Sequence, residues 1–238
     1  DSTSDYSGPS PIRQYAIRQF DSNGNSTWTA VLPAYTPASK ISVTNVVADA
    51  LTGNLYFSGS FLGTVDLDPG SGELFVTGSM QNSNSYVLKL ASNGDIRWAV
   101  PQIAVDTEVI FISEILIAED GNLVFTGGAT GPVDIDAGSN VQLLPSGVNS
   151  YFAKMSPDDG GLLSVSSHPG KSPVRYLVES QGRFYGTGNL FQDDVFNPSP
   201  NILVTNYGSR DTNNLATATA VVVEIDSDGT VLSAGRIG

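Results

Sequence analysis

The chain repeats itself, and no other feature constrains its fold as strongly. GNLYFSGSFLGTVDLDPG (53–70), GNLVFTGGATGPVDIDAG (121–138) and GRFYGTGNLFQDDVFNPS (182–199) align directly. A second kind of segment also recurs: AIRQFDSNGNSTW ending at Trp28, YVLKLASNGDIRW ending at Trp98, YFAKMSPDDGGLL (151–163) and VVVEIDSDGTVL (221–232). Its turn glycines, Gly24, Gly94, Gly160 and Gly229, lie 70, 66 and 69 residues apart. One structural unit therefore recurs at a near-constant period.

Each unit reads as strands. ISVTNVVAD (41–49) is a β-branched run before a turn at Leu51–Gly53, and 54–61 alternates around Gly59, matched by Gly127 and Gly188. Tyr86–Leu90 and Ile96–Val100 flank a Ser-Asn-Gly turn, which supplies the positive φ a tight hairpin needs. Two strands from each segment type give four core strands per unit. A shorter strand lies between them, at Glu73–Thr77, Val141–Leu144 or Asn201–Thr205. The apolar run Ile103–Ile117 is rich in Val, Ile and Phe and reads as strand rather than helix. The expected fold is all-β and propeller-type: four-stranded antiparallel blades, each burying its two faces against its neighbours. The second-strand glycines are expected to allow close approach between blades.

At these residues the chain resembles the bacterial SBBP-type β-propeller repeats of secreted and cell-surface proteins. The pattern is strong over 53–70 and 86–100 and fair over 119–155. In the third unit Gly186 replaces the aromatic of Phe57, and Val195 and Asn197 replace aspartates. Trp28 and Trp98 fit the family's final-strand Trp, whereas Ser164 and Ser233 do not. The resemblance implies a propeller scaffold, an exported protein and no fixed chemistry.

Composition narrows the function. The 238 residues carry a formal net charge of −13 and are only 15% charged. Nucleic acid and anionic membranes are thereby disfavoured as partners. No cysteine is present, which excludes disulfides, thiolate metal sites and a cysteine nucleophile. A single histidine, His168 in SSHPGKSP, excludes a His-rich metal site and reads as an exposed loop residue. No apolar run is long enough for a helix to cross a bilayer.

The sharpest candidate site is a repeated pair of aspartates. Asp66/Asp68 and Asp134/Asp136 have i, i+2 spacing, which on one strand aims both carboxylates to the same side. Such pairs cap turns in water, or bind a hard cation such as Ca²⁺ with help from carbonyls of the 68–72 loop. DSNGN (21–25), SPDDGG (156–161) and DSDGT (226–230) look like calcium loops, but their Asp, Asn and Gly are what tight turns require. Asp193 and Asp194 read as a surface loop. Tyr56, Tyr86, Tyr151 and Tyr185 fall at repeat positions and are expected in the core, while Tyr6, Tyr35 and Tyr207 fall in loop-like contexts.

The organisation expected is an N-terminal tail (1–14), a half blade (15–31) and three blades (41–100, 112–165 and 174–235). That is three and a half blades, short of the four that close a ring. The expected function is a non-catalytic extracellular module for adhesion, recognition or assembly. It would be completed by more sequence or by neighbouring copies through its terminal blade edges, with a filament as the preferred form. The alternatives are a glycan-binding lectin and a carbohydrate-active enzyme.

Overall fold

A computed structural model of the chain describes residues 14–104, 108–136, 142–145, 147, 149–170, 174–190, 195–199, 202–205 and 219–237. Every regular element among them is a β-strand, and every pairing is antiparallel. A hairpin, β1 (Gln14–Phe20) and β2 (Ser26–Pro33), comes first. The first sheet contains β3 (Lys40–Ala48) and β4 (Leu55–Leu62), then, after a short β5 (Thr64–Asp66) and β6 (Phe75–Thr77), β7 (Asn84–Leu90) and β8 (Ile96–Ala104). The second contains β9 (Ile110–Ile117) and β10 (Leu123–Ala129), then, after β11 (Val133–Asp134), β12 (Asn149–Met155) and β13 (Leu162–Pro169). The third contains β14 (Tyr176–Ser180) and β15 (Arg183–Leu190), then, after β16 (Val195–Ser199) and β17 (Ile202–Thr205), β18 (Thr219–Ile225) and β19 (Val231–Ile237).

Each main sheet is a meander in which consecutive core strands are neighbours and the first strand lies at one edge; in the first sheet β11 of the following unit adds beyond the fourth strand, β8. The turns between third and fourth strands explain why. Gly24, Gly94, Gly160 and Gly229 all take positive φ, from 75° to 92°. In the first and last of these turns an aspartate carboxylate also accepts backbone N–H groups: Asn23 and Asn25 donate to Asp21, and Asp228 and Thr230 donate to Asp226. The acidic glycine motifs are turns built for geometry.

The sheets bury their faces against one another. Ala30 and Leu32 of β2 share an apolar layer with Phe57, Phe61 and Leu88 of the first sheet. Tyr56 and Val87 of the first sheet share one with Ile110, Ile115 and Phe125 of the second. Val124 and Phe152 of the second share one with Leu177, Phe184 and Val223 of the third. Each such large side chain stabilises the fold by about 1.5–3 kcal/mol when removed from water. No sheet buries both faces within itself, so each depends on its neighbours.

The second-strand glycines make room within a sheet, which corrects the expectation that they serve the contact between sheets. Gly59 pairs with Tyr86 across β4 and β7, and the Tyr86 hydroxyl passes over it to donate to the Ser42 carbonyl of β3 at 2.9 Å. A Cβ on Gly59 would lie 1.9 Å from that carbonyl oxygen. The second sheet repeats the device: Gly127 faces Tyr151, whose hydroxyl donates to the Phe111 carbonyl at 3.0 Å. Burial holds both phenols protonated, far above the ordinary tyrosine range. In both sheets the first strand bulges beside this contact, by one residue at Thr44 and at Ser113. In the third sheet Val221 stands opposite Gly188, and β14 pairs with β15 without a bulge.

Two further expectations change. Tyr56, Tyr86 and Tyr151 are buried, but Tyr185 is 38% exposed, because it lies on the outer face of the third sheet. His168 is not an exposed loop residue; it sits on β13 and is 7% exposed.

The tyrosine device predicts a specific pattern of losses in urea denaturation. Gly127→Ala should cost on the order of 3 kcal/mol, because a backbone oxygen occupies the space of the new methyl. Tyr151→Phe should cost about 1–2 kcal/mol for the lost buried hydrogen bond. The double variant should cost less than the sum, since both changes break one arrangement.

Candidate functional site

The aspartate pairs hold a small hairpin that joins one sheet to the next. Asp66 ends β5 and Asp134 ends β11, so neither pair shares one strand as the spacing suggested. Asp68 lies past the strand end, and its N–H donates to Asp66 Oδ1 at 2.9 Å, while the Leu74 N–H donates to the same oxygen at 2.8 Å. The second unit copies this: Asp136 and Gln142 N–H groups donate to Asp134 Oδ1 at 3.2 and 3.0 Å. One carboxylate oxygen thus bridges two backbone donors six residues apart and closes the loop. Asp68 Oδ1 in turn accepts the Gly70 N–H. Among the described residues no cluster of three or more His, Cys, Asp or Glu side chains is placed to hold a metal ion.

The hairpins so closed reach back to the preceding unit. Val65 of β5 bridges to Ala34, just beyond β2, and the Tyr35 N–H donates to the Thr64 carbonyl. Val133 and Asp134 of β11 pair with Ala104 and Ile103 at the end of β8. In the third unit β16 runs beside β13. The extra strand of every unit therefore clasps the fourth strand of the unit before it. Asp136 lines a cleft of about 260 Å³ with Asp159, Gly160 and residues 99–101.

A second tie runs the other way. Trp28 Nε1 donates to the Ser92 carbonyl at 2.9 Å, and Trp98 Nε1 to the Pro157 carbonyl at 3.2 Å, each in the next unit's third-to-fourth-strand turn. Lys89 Nζ donates to the same Pro157 oxygen at 2.6 Å. The indoles lie against Gly94 and Gly160, where a Cβ would come within 3.2 and 3.0 Å of the rings. Ser164 occupies the Trp position in the second sheet, and His168, four residues further along β13, takes over. Its Nε2 lies 3.1 Å from the Gly229 carbonyl oxygen and so carries the donated proton.

The first strands meet at a different place. Asn45 of β3, Glu114 of β9 and Tyr176 of β14 occupy the same register, opposite Ser58, Thr126 and Thr187 of their second strands. With Phe111, Ser113 and Arg175 they line one cleft of about 380 Å³. Asn45 Nδ2 donates to Ser58 Oγ at 3.0 Å and reaches the Ser113 carbonyl at 3.4 Å, tying first strand to first strand. Partial burial raises the Glu114 carboxyl above its ordinary range, with the Ile115 N–H acting in the opposite direction. Sequence reasoning missed this cleft, because its residues differ in type from unit to unit and the two bulges that place them have no sequence signature. Asp193, Asp194, Tyr6 and Tyr207 lie outside the described residues. Tyr35 is exposed and stacks edge-on against Phe75 at 4.8 Å.

No family model matches the chain, and no curated protein matches it as a relative.

Two outcomes follow from this geometry. Asp66→Ala should destabilise the chain by about 2 kcal/mol, the cost of two charge-assisted bonds to half-buried donors, equally with and without millimolar Ca²⁺. A melting rise with Ca²⁺ that Asp66→Asn abolishes would instead assign these carboxylates to a cation. Glu114 has a folded-state pKa raised above its unfolded value, so its ionised form costs stability at neutral pH. Glu114→Gln should therefore be neutral or stabilising at pH 7 in thermal melts, and that advantage should vanish as pH falls below about 4, near the unfolded pKa.

Proposed function

We propose that this chain is a β-propeller-type repeat module of the SBBP kind, exported from the cell and working without chemistry of its own, as an assembly or recognition unit. The arrangement of neighbouring sheets supports the propeller reading. The first strands approach one another closely, β3 with β9 and β9 with β14, and β9 also lies against β4 and β7. Sheets that converge at their first strands form wedges around an axis, which is how blades are set in a ring or arc. The low lysine content, the absence of cysteine and the net charge of −13 suit a soluble exported surface.

One observation carries the assembly reading. The row Val47–Tyr56–Lys89–Trp98 crosses the first sheet and is covered by the second. The row Leu116–Val124–Lys154–Ser164 crosses the second in the same register and faces the third. The third sheet has the equivalent row, Val178–Tyr185–Glu224–Ser233. There Val178 and Tyr185 are exposed, and Ile237 at the end of β19 is exposed too. A face built like two covered faces, with its apolar groups in water, is an association surface. Its occupant in this reading is a second copy of the chain, joined head to tail, which builds an arc into a ring or filament.

A hydrolytic enzyme fits less well. Glycoside hydrolysis needs a carboxylic acid held protonated near neutral pH beside a second carboxylate. The Gly161 N–H holds Asp159 below the usual carboxylate range, which keeps it ionised. The carboxylates of Asp66 and Asp134 are engaged by backbone donors.

Light scattering at increasing micromolar concentration tests the assembly. The mass should rise above the 24.9 kDa of one chain, and Val178→Glu with Tyr185→Glu should hold it at one chain without lowering the melting temperature. A mass fixed at 24.9 kDa throughout, or one the double variant leaves unchanged, contradicts the reading.

A further inference from the structure

We infer that the cleft where the first strands converge is a binding site for a neutral saccharide. The inference goes beyond the assembly reading and does not rest on it, because the cleft is formed within one chain. Its volume of about 380 Å³ falls in the range of small-ligand sites, roughly 300–1,000 Å³. It presents two aromatic surfaces to solvent, Phe111 at 38% and Tyr176 at 69% exposure. Three residues with planar polar groups, Glu114, Asn45 and Arg175, line the same cleft. An aromatic face suits the apolar C–H face of a pyranose ring. Planar groups with paired acceptors or donors suit vicinal hydroxyls, which offer a donor and an acceptor on adjacent carbons.

Other ligands match this set poorly. A phosphate or sulfate would meet the Glu114 carboxylate on a chain of net charge −13. A peptide adding as a strand needs a regular free edge. Here the edge strands β3 and β9 both bulge within the cleft, and the Asn45 amide already occupies the Ser113 carbonyl. A large apolar side chain would find few apolar walls, since the lining is mainly Asn, Ser, Glu and Arg.

The construction of the cleft supports a selected role. Bulges cluster where a strand must re-aim a side chain, and both bulged first strands are bulged where they line this cleft. Asn45, Glu114 and Tyr176 are the same position of three successive units, yet each is a different residue type. Positions serving only the repeat architecture keep their character, as Gly59 and Gly127 do. Glu114 also sits where burial disfavours its charge, a cost typical of groups kept for recognition.

The test is the full chain on an array of neutral and acidic oligosaccharides in calcium-free buffer, followed by calorimetric titration of the best neutral oligosaccharide. The expected result is binding to neutral members that falls about tenfold in Tyr176→Ala, the loss of one stacking contact. Glu114→Gln should weaken it further in combination, and all variants should melt no lower than the parent chain. Tyr176 is exposed enough for its removal to leave the fold intact. A silent array, binding restricted to acidic members, or neutral binding that both substitutions leave unchanged would overturn the inference.

Discussion

The fourth strand of each unit is what the rest of the structure depends on. Its outer edge receives the clasp of the following unit, as β8 receives β11. Its side chains receive the following unit's turn, as Trp98 receives the Pro157 carbonyl. Its own sheet cannot bury two apolar faces without that neighbour. Folding is therefore a nearest-neighbour affair, in which each interface combines an apolar layer, an extra strand laid beside the preceding fourth strand, and directed side-chain hydrogen bonds. The apolar layer supplies most of the energy, while the other two fix which sheet stacks on which and in what register.

Repetition with a fixed interface frees other positions to change. The clasp keeps its aspartate from the first unit to the second, because Asp66 and Asp134 hold the same pair of backbone donors. The inter-unit bond keeps its direction even where its residue changes, with His168 standing in for a tryptophan. By contrast, the first strands carry Asn45, Glu114 and Tyr176 at one position, and there the unit-to-unit constraint has been released. Function in a repeat fold collects at such released positions, since a change there leaves the stacking intact.

Much of this was legible in the sequence, and the misses have physical causes. The turn glycines and the β-branched runs dictate hairpins and strands locally, so the four-strand unit and its period could be read without long-range information. The repeat marks Gly59 as special but not its neighbour, because sequence tells that a side chain is forbidden and not which atom forbids it. Tyr185 was placed in the core by its repeat position, which holds only while a following sheet covers that position. The i, i+2 spacing reads as a pair on one strand; a strand that ends at Asp66 leaves Asp68 in the loop and makes the Asp66 carboxylate a loop cap. His168 looked like a loop residue beside Pro-Gly, yet β13 continues through it, an extension set by pairing with Asn149 and Ser150 rather than by local preference.

Amide hydrogen exchange resolved strand by strand tests the nearest-neighbour account most directly. The account predicts the slowest exchange in β4, β7, β10 and β12, whose sheets are covered on both faces, with faster exchange in β18 and faster still in β19. It also predicts that Trp98→Ala, at the interface between the first two sheets, accelerates exchange in both of those sheets more than in the third. Uniform protection across all three sheets, or a Trp98→Ala effect equal everywhere, would contradict it, for the chain would then be one cooperative body and not a stack of mutually dependent sheets.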